Sequence, residues 1–216
     1  MNKDFARQQM IDQQVRAWDV LDGAVLAGLR EVQRELFVPE GFEALAFADT
    51  EIPIGHGEMM MTPTIEGRVL QALGLDGSEK VLEIGTGSGF LTACLANLST
   101  HVTSIDIYDD FIETARRRLA DSGAHNADII KMDCTLNLPD GPFDAIAVTG
   151  SMQSFDARLV GALRPGGRLF AVIGDAPAMS AIKVTRIDGD NWQSDTLFET
   201  ELAPLVNGTL PPQFSF

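Results

Sequence analysis

Apolar positions in the first third of the chain recur at helical spacing. Phe5, Met10, Ile11 and Val15 mark a weak stripe that predicts a polar helix over residues 4–17. Val25, Leu26, Leu29 and Val32 mark a second helix after the N-cap candidate Asp22, with Pro39 as its outer limit. Residues 39–63 carry Pro53, Gly55, Gly57 and Pro63 and predict irregular chain, too apolar to be a free linker. Ile65, Val69, Leu70 and Leu73 return to one helical face, which Gly74 ends. From residue 80 the pattern changes. Short runs rich in Val, Ile and Ala (81–84, 102–105, 127–132, 145–148, 169–173) alternate with helical stretches near 90–97, 109–121 and 155–163. That alternation predicts a mostly parallel sheet covered on both faces. The last strands, 182–187 and 196–202, lie on either side of a short Asp188-Gly189-Asp190-Asn191 turn and predict an antiparallel edge hairpin. The expected fold is α/β, a Rossmann-like doubly wound sheet, with residues 1–75 as a helical, substrate-side segment and 76–216 as the nucleotide-binding part.

A glycine loop is the sharpest chemical signal. Val81–Ile84 runs into Gly85-Thr86-Gly87-Ser88-Gly89 and then a helix. Glycines there let the main chain turn tightly and let a ligand approach it, in the crevice past the strand ends. A dinucleotide site would place a further glycine three residues after Gly87, where Phe90 stands. Glu83, just inside the strand, would also repel a pyrophosphate. It suits an ammonium, and S-adenosylmethionine carries an ammonium, a sulfonium and a ribose but no phosphate. Asp106 ends the second strand and can accept both ribose hydroxyls. Asp133 follows the third and can accept from an adenine amino group. The expected cofactor contacts are therefore Glu83, Gly85, Thr86, Gly87, Ser88, Gly89, Asp106 with its neighbour Ile107, Asp133 with Cys134, and Thr149 after the fourth strand.

Charge narrows the partners. Sixteen Lys and Arg against 31 Asp and Glu give a net charge of −15, which disfavours nucleic acid and anionic lipid. The Arg116–Arg118 run reads as a solvated helix face. Two cysteines, Cys94 and Cys134, are too few for a disulfide framework and read as small buried side chains. No His/Cys cluster has metal spacing, so no metal is expected. The first fifteen residues lack an apolar core of a secretion signal, and no run approaches membrane-spanning length. A soluble, cytoplasmic location is expected.

On these residues the chain resembles the Rossmann-type S-adenosylmethionine-dependent methyltransferases, and among them the protein-L-isoaspartate (D-aspartate) O-methyltransferases. Glu35–Pro39, Phe47–Gly57, Pro142–Gly150, Leu163–Leu169 and Ala203–Val206 carry that closer resemblance in order, with Pro53-Ile54-Gly55-His56-Gly57 the most specific part. The resemblance implies S-adenosylmethionine as donor and S-adenosylhomocysteine as product. It also implies esterification of the α-carboxyl of isoaspartyl residues in damaged protein, a repair reaction. One stretch departs from the family pattern. Where the family reads Gln-Thr-Ile-Ser-Gln-Pro, this chain has Glu58-Met59-Met60-Met61-Thr62-Pro63. Met61 thus occupies the serine position beside the methyl acceptor, and Thr62 carries a hydroxyl one residue away. The resemblance makes Met61, Thr62 and His56 the acceptor-side candidates. It leaves open a different carboxylate or small-molecule acceptor, or a cofactor-binding homologue without catalysis.

Overall fold

The computed structural model describes residues 2–189 and 191–208. Its centre is a seven-stranded sheet whose order follows from the crossovers. β3 (Lys80–Ile84) lies between β4 (His101–Asp106) and β6 (Phe143–Met152). β5 (Ala127–Lys131) flanks β4, and β7 (Leu163–Asp175), β8 (Ala178–Asp188) and β9 (Asn191–Glu199) continue beyond β6. The five strands β5-β4-β3-β6-β7 pair in parallel, and β7-β8-β9 pair antiparallel. After β3 the chain crosses to one side and later to the other. The carboxyl end of β3 is therefore the topological switch point, where such sheets hold ligands.

The local chemistry explains each element. Val81, Leu82, Glu83 and Ile84 are all buried, as a central parallel strand requires. α4 (Phe90–Asn97) is buried nearly all round, and α5 (Asp109–Ser122) covers the sheet with Phe111, Ile112, Ala115 and Leu119. Asp22 caps α2 (Gly23–Glu31), its side chain accepting from the amides of Ala24 (2.8 Å) and Val25 (3.1 Å). Thr62 caps α3 (Pro63–Leu73), with Pro63 at the first helical position and Gly74 in left-handed conformation after the last. The N-terminal segment packs closely on α3. A methyl group added at Gly67 would sit 2.8 Å from Val15, and Gln71 bonds both ways to the loop before α2, through the Leu21 amide (2.6 Å) and the Asp19 carbonyl (2.7 Å).

Several expected boundaries shift. The first helix is α-helical only over α1 (Lys3–Met10), then widens to a π-turn (Ile11–Val15) and ends as a 3₁₀ turn (Arg16–Trp18). Within the stretch expected to be irregular, β1 (Ile52–Gly55) and β2 (Glu58–Met60) form an antiparallel hairpin. Periodicity missed it because each strand is too short to show alternation. The helix expected over 155–163 shrinks to α6 (Arg158–Ala162), and Pro165-Gly166-Gly167 is a bulge inside β7 rather than a turn before it. Phe143 pairs Leu163 while Ala145 pairs Arg168. The last strand runs over 191–199 instead of 196–202, and Asp190 of its turn lies outside the described residues. The arginine run is not simply solvated. Arg118 donates to the carbonyls of Ser88 (3.2 Å) and Val38 (3.1 Å), tying the glycine loop to the N-terminal segment, and Arg116 donates to Ile129. Among the described residues no helix is long and apolar enough to cross a membrane, and no His/Cys/Asp/Glu cluster could hold a metal ion.

Candidate active site

Three pieces of chain close over the carboxyl end of β3. Below lies the glycine loop. Gly85 turns at φ +98°, its amide bonded to the Ile105 carbonyl (2.9 Å), and a side chain there would collide with Thr149. Above lies the β1–β2 hairpin, whose Ile54 comes within 3.1 Å of where a Gly87 methyl would stand. At the side, Ala203–Val206 lies against the end of β6. Ser151 donates its amide to Ala203 (2.8 Å) and its hydroxyl to Leu202 (2.9 Å), and its carbonyl accepts from Leu205 (2.9 Å). The enclosed space is about 960 Å³ with its open mouth included.

Glu83, Gly85, Thr86, Gly87, Ser88, Asp106, Ile107, Cys134, Thr149 and Met61 all line this cavity. Glu83 is fully buried. Its Oε2 accepts from Ser104 (2.5 Å) and from Thr92, and Thr86 in turn bonds Ser104 (2.6 Å). Glu83 Oε1 has no hydrogen-bond partner among the described residues. A buried carboxyl oxygen left open at a cavity wall suits a cationic donor group. Asp106 accepts from the amides of Gly87 (2.9 Å) through one oxygen and Tyr108 (3.1 Å) through the other, which fixes its rotamer and leaves lone pairs on both oxygens for two ligand hydroxyls. Thr149 Oγ1 lies 2.9 Å from the carbonyls of both Ile84 and Gly85, locking the turn from behind.

Four expected residues stand elsewhere. Gly89 caps α4 at φ +85° and packs on Ala115. The Asp133 carboxylate is taken up by Thr135 (2.6 and 2.8 Å) and Asn207 (2.8 Å), although its neighbours Met132 and Cys134 line the cavity. His56 sits at the hairpin tip in left-handed conformation, stacked on Tyr108 at 4.0 Å and bonded to Asp110 (2.9 Å). Thr62 is spent on the α3 cap and on Thr64 (2.9 Å).

Sequence reading missed the anchor of the acceptor wall. Arg34 is wholly buried and donates to the Met61 carbonyl (2.7 Å), the Ala46 carbonyl (3.0 Å) and the Glu66 carboxylate, with its guanidinium over the Phe90 ring at 4.9 Å. Glu66 lines the cavity floor. Its signal lay in position: it falls three and four residues before Val69 and Leu70, on the apolar face of α3, where an unpaired carboxylate would be costly.

Electrostatics decide what can bind. The cavity-lining residues include Glu51, Glu58, Glu66, Glu83 and Asp106, and no Lys, Arg or His. A pyrophosphate has nothing here to hold it except backbone amides, whereas a ligand with an ammonium and a sulfonium is complementary at both charges. Burial pushes the Glu83 carboxyl up to about 8, against the lowering pull of the Ser104 and Thr92 hydroxyls. It is then protonated at pH 7, and an ammonium placed at Oε1 favours the ionised form. Binding of S-adenosylhomocysteine at pH 7 is therefore expected to release up to about one proton. Titration calorimetry in buffers of different ionisation enthalpy reads this directly. E83Q should abolish the buffer dependence, and equal binding enthalpies for the unaltered protein in all buffers would refute the assignment.

The model of the family "Protein-L-isoaspartate(D-aspartate) O-methyltransferase (PCMT)" matches residues 5–210. The chain belongs to the protein-L-isoaspartate O-methyltransferase family. It is 36% identical to protein-L-isoaspartate O-methyltransferase 2 of Pelobacter propionicus over 95% of this chain and 92% of that one. It is 37% identical to protein-L-isoaspartate O-methyltransferase 1 of Rhodopseudomonas palustris over 93% and 82%. A crystal structure of a candidate family member from Plasmodium falciparum, in complex with S-adenosylhomocysteine, superposes with a TM-score of 0.79 at 21% identity, covering 95% of this chain and 98% of that one. That last likeness bears on the fold alone.

Proposed function

We propose that this protein is an S-adenosylmethionine-dependent O-methyltransferase that esterifies the carboxylate of isoaspartyl residues in damaged proteins. One observation carries the reading. The family match over residues 5–210 takes in the glycine loop, the β1–β2 hairpin and most of the C-terminal loop, the three pieces that enclose the cavity.

The residues fit the donor. Glu83 would hold its ammonium, Asp106 its ribose hydroxyls, and the Gly85–Ser88 backbone its amino-acid portion, while Met132 and Cys134 supply an apolar edge for a purine. When bound, S-adenosylmethionine supplies a methyl group on a sulfonium. An acceptor carboxylate is already ionised at pH 7, its reference pKa being near 4, so no general base is needed. The protein's task is to position and desolvate it. Ile54, Met60 and Met61 from the hairpin side and Leu202–Val206 from the C-terminal loop line the cavity with apolar groups that would keep water from a bound acceptor. Alignment of that kind is worth ~7–11 kcal/mol. The chemistry therefore asks for no catalytic dyad.

Met61 weakens the acceptor site. It is 7% exposed, lines the cavity, and offers a thioether where the family pattern has a hydroxyl. A lost hydrogen bond to a charged group costs about 1.5–3 kcal/mol. M61S is accordingly expected to raise kcat/KM on an isoaspartyl peptide by about tenfold. No change on M61S would favour a second reading, in which the Met59–Met61 stretch shapes the pocket for another carboxylate or a small molecule. The primary test is labelled methyl transfer to an isoaspartyl peptide beside the same peptide with normal aspartate. Base-labile label on the first alone is expected; label on neither, with S-adenosylhomocysteine still binding, would overturn the proposed acceptor.

A further inference from the structure

The β1–β2 hairpin roofs the cavity, yet little polar structure holds it there. Its base is packed: Ile52 and Met60 are buried, and Arg34 grips the Met61 carbonyl just beyond it (2.7 Å). Its tip is Gly55-His56-Gly57, three successive residues at positive φ (+115°, +54° and +83°). A residue with a side chain persists there only where its surroundings compensate. At His56 the compensation comes from the ring. It stacks on Tyr108, the N-cap residue of α5, at 4.0 Å with 8° between the planes, and meets the Phe111 ring edge-on at 5.3 Å. Its Nε2 lies 2.9 and 3.0 Å from the two Asp110 carboxylate oxygens, and that bond holds the Asp110 carboxyl below the ordinary carboxylate range. Among the hydrogen bonds of the described residues, this pair alone joins residues 52–60 to anything outside the hairpin.

Ile54 and Glu58, on either side of the tip, line the cavity, and so do Tyr108 and Phe111 beneath it, whereas His56 itself stands outside the lining. His56 therefore acts through the hairpin and not on a ligand. We propose that His56 is a positioning residue, which with Tyr108 and Asp110 clasps the hairpin tip to the start of α5 and so sets how long S-adenosylmethionine and S-adenosylhomocysteine stay in the cavity. The hairpin is packed at its base and fastened at its tip by one polar pair. Breaking that pair lets the tip lift and carries Ile54 away from Gly87, while the buried base and the Met61 wall keep their places. The clasp is also able to open. The His56 and Asp110 side chains are 40% and 65% exposed, and such a pair is weak, with the ring stack adding to it. This inference rests on the donor reading of the cavity and is independent of which acceptor is methylated.

The test measures S-adenosylhomocysteine binding and dissociation in the full chain for H56N, D110N and the H56N/D110N double variant. Asparagine tolerates left-handed backbone, so H56N removes the ring without adding strain. H56N should raise Kd about tenfold, through faster dissociation, and D110N about threefold. The double variant should stay within about twofold of H56N, because both changes open the same clasp. The ligand-free Tm should fall by less than about 5 °C in each, as the loss of an exposed contact implies. An H56N Kd within about threefold of the unaltered protein, losses that multiply in the double variant, or a larger fall in Tm overturns the inference and leaves the proposed methyl transfer standing. No binding of S-adenosylhomocysteine by the unaltered chain overturns the donor reading and this inference together.

Discussion

G85A is expected to weaken S-adenosylhomocysteine binding by about 100-fold or more and to lower stability at the same time. Two independent effects act at this position. The backbone sits at φ +98°, a conformation that costs a residue with a side chain about 1–3 kcal/mol. The added methyl would also lie 2.1 Å from Thr149 Oγ1, the hydroxyl that bridges the Ile84 and Gly85 carbonyls. The loop has to move, and a misplacement of about 1 Å at a binding site can cost 100-fold. Gly87 is the natural control. Its φ of +49° is also left-handed and would cost an alanine about 1–2 kcal/mol, but its methyl would meet only the flexible end of Ile54 at 3.1 Å, with no backbone or hydroxyl in the way. G87A should therefore retain most of the fold's stability. Calorimetry and thermal melts on the two variants check this. G85A binding within about threefold of the unaltered protein would show that the loop does not contact the ligand through its backbone.

The sheet and the glycine loop were legible in the sequence for a physical reason. A strand buried on both faces must be apolar throughout, and a turn with three alternating glycines between such a strand and a helix has few uses. Glu83 stood out because it broke an apolar run, and the structure shows it fully buried with one oxygen left open. What was not legible depended on contacts distant in sequence. The β1–β2 hairpin has strands of four and three residues, too short for a period, and is held down by packing over the glycine loop. The role of Asp133 was read from its position after a strand, but its oxygens are shared with Thr135 and with Asn207, 74 residues away. Arg34 and Glu66 drew no reading from the sequence, because only α3 and the N-terminal segment bring them together across 32 residues. A one-signed cavity wall is likewise a property of the assembled site, since Glu51 precedes β1 while Glu58, Glu83 and Asp106 lie on β2, β3 and β4.

Removing the buried cation should be the most damaging single change to stability. R34M keeps much of the volume but strips three hydrogen bonds at once, from the Met61 and Ala46 carbonyls and from Glu66, together with the contact over Phe90. Breaking one side of a buried ion pair costs about 3–5 kcal/mol. For a chain of this size, that is a fall in Tm of roughly 6–20 °C. The pH dependence has a definite sign. Burial pushes the Glu66 carboxyl up, and Arg34 is the main influence pulling it back down. Without Arg34 the folded-state pKa rises further above its unfolded value near 4.3. A carboxyl raised in this way contributes stability that is fully present below the unfolded pKa and is lost as pH climbs through the folded one, by up to ~1.4 kcal/mol per pH unit. Because the unaltered protein has its own folded-state Glu66 pKa at about 8, the added deficit opens above that value, and R34M should be less destabilised at pH 5 than at pH 9.5. R34K should not rescue it, because a single ammonium cannot reach both carbonyls and the carboxylate in the planar arrangement a guanidinium provides. E66Q offers the converse test. It removes the group that titrates, so its deficit relative to the unaltered protein should be no larger at pH 9.5 than at pH 5, the reverse of R34M. Denaturant melts of the three variants at both pH values decide the matter. An R34M deficit under about 1 kcal/mol at both would mean that the pair is no anchor for the Met61 wall.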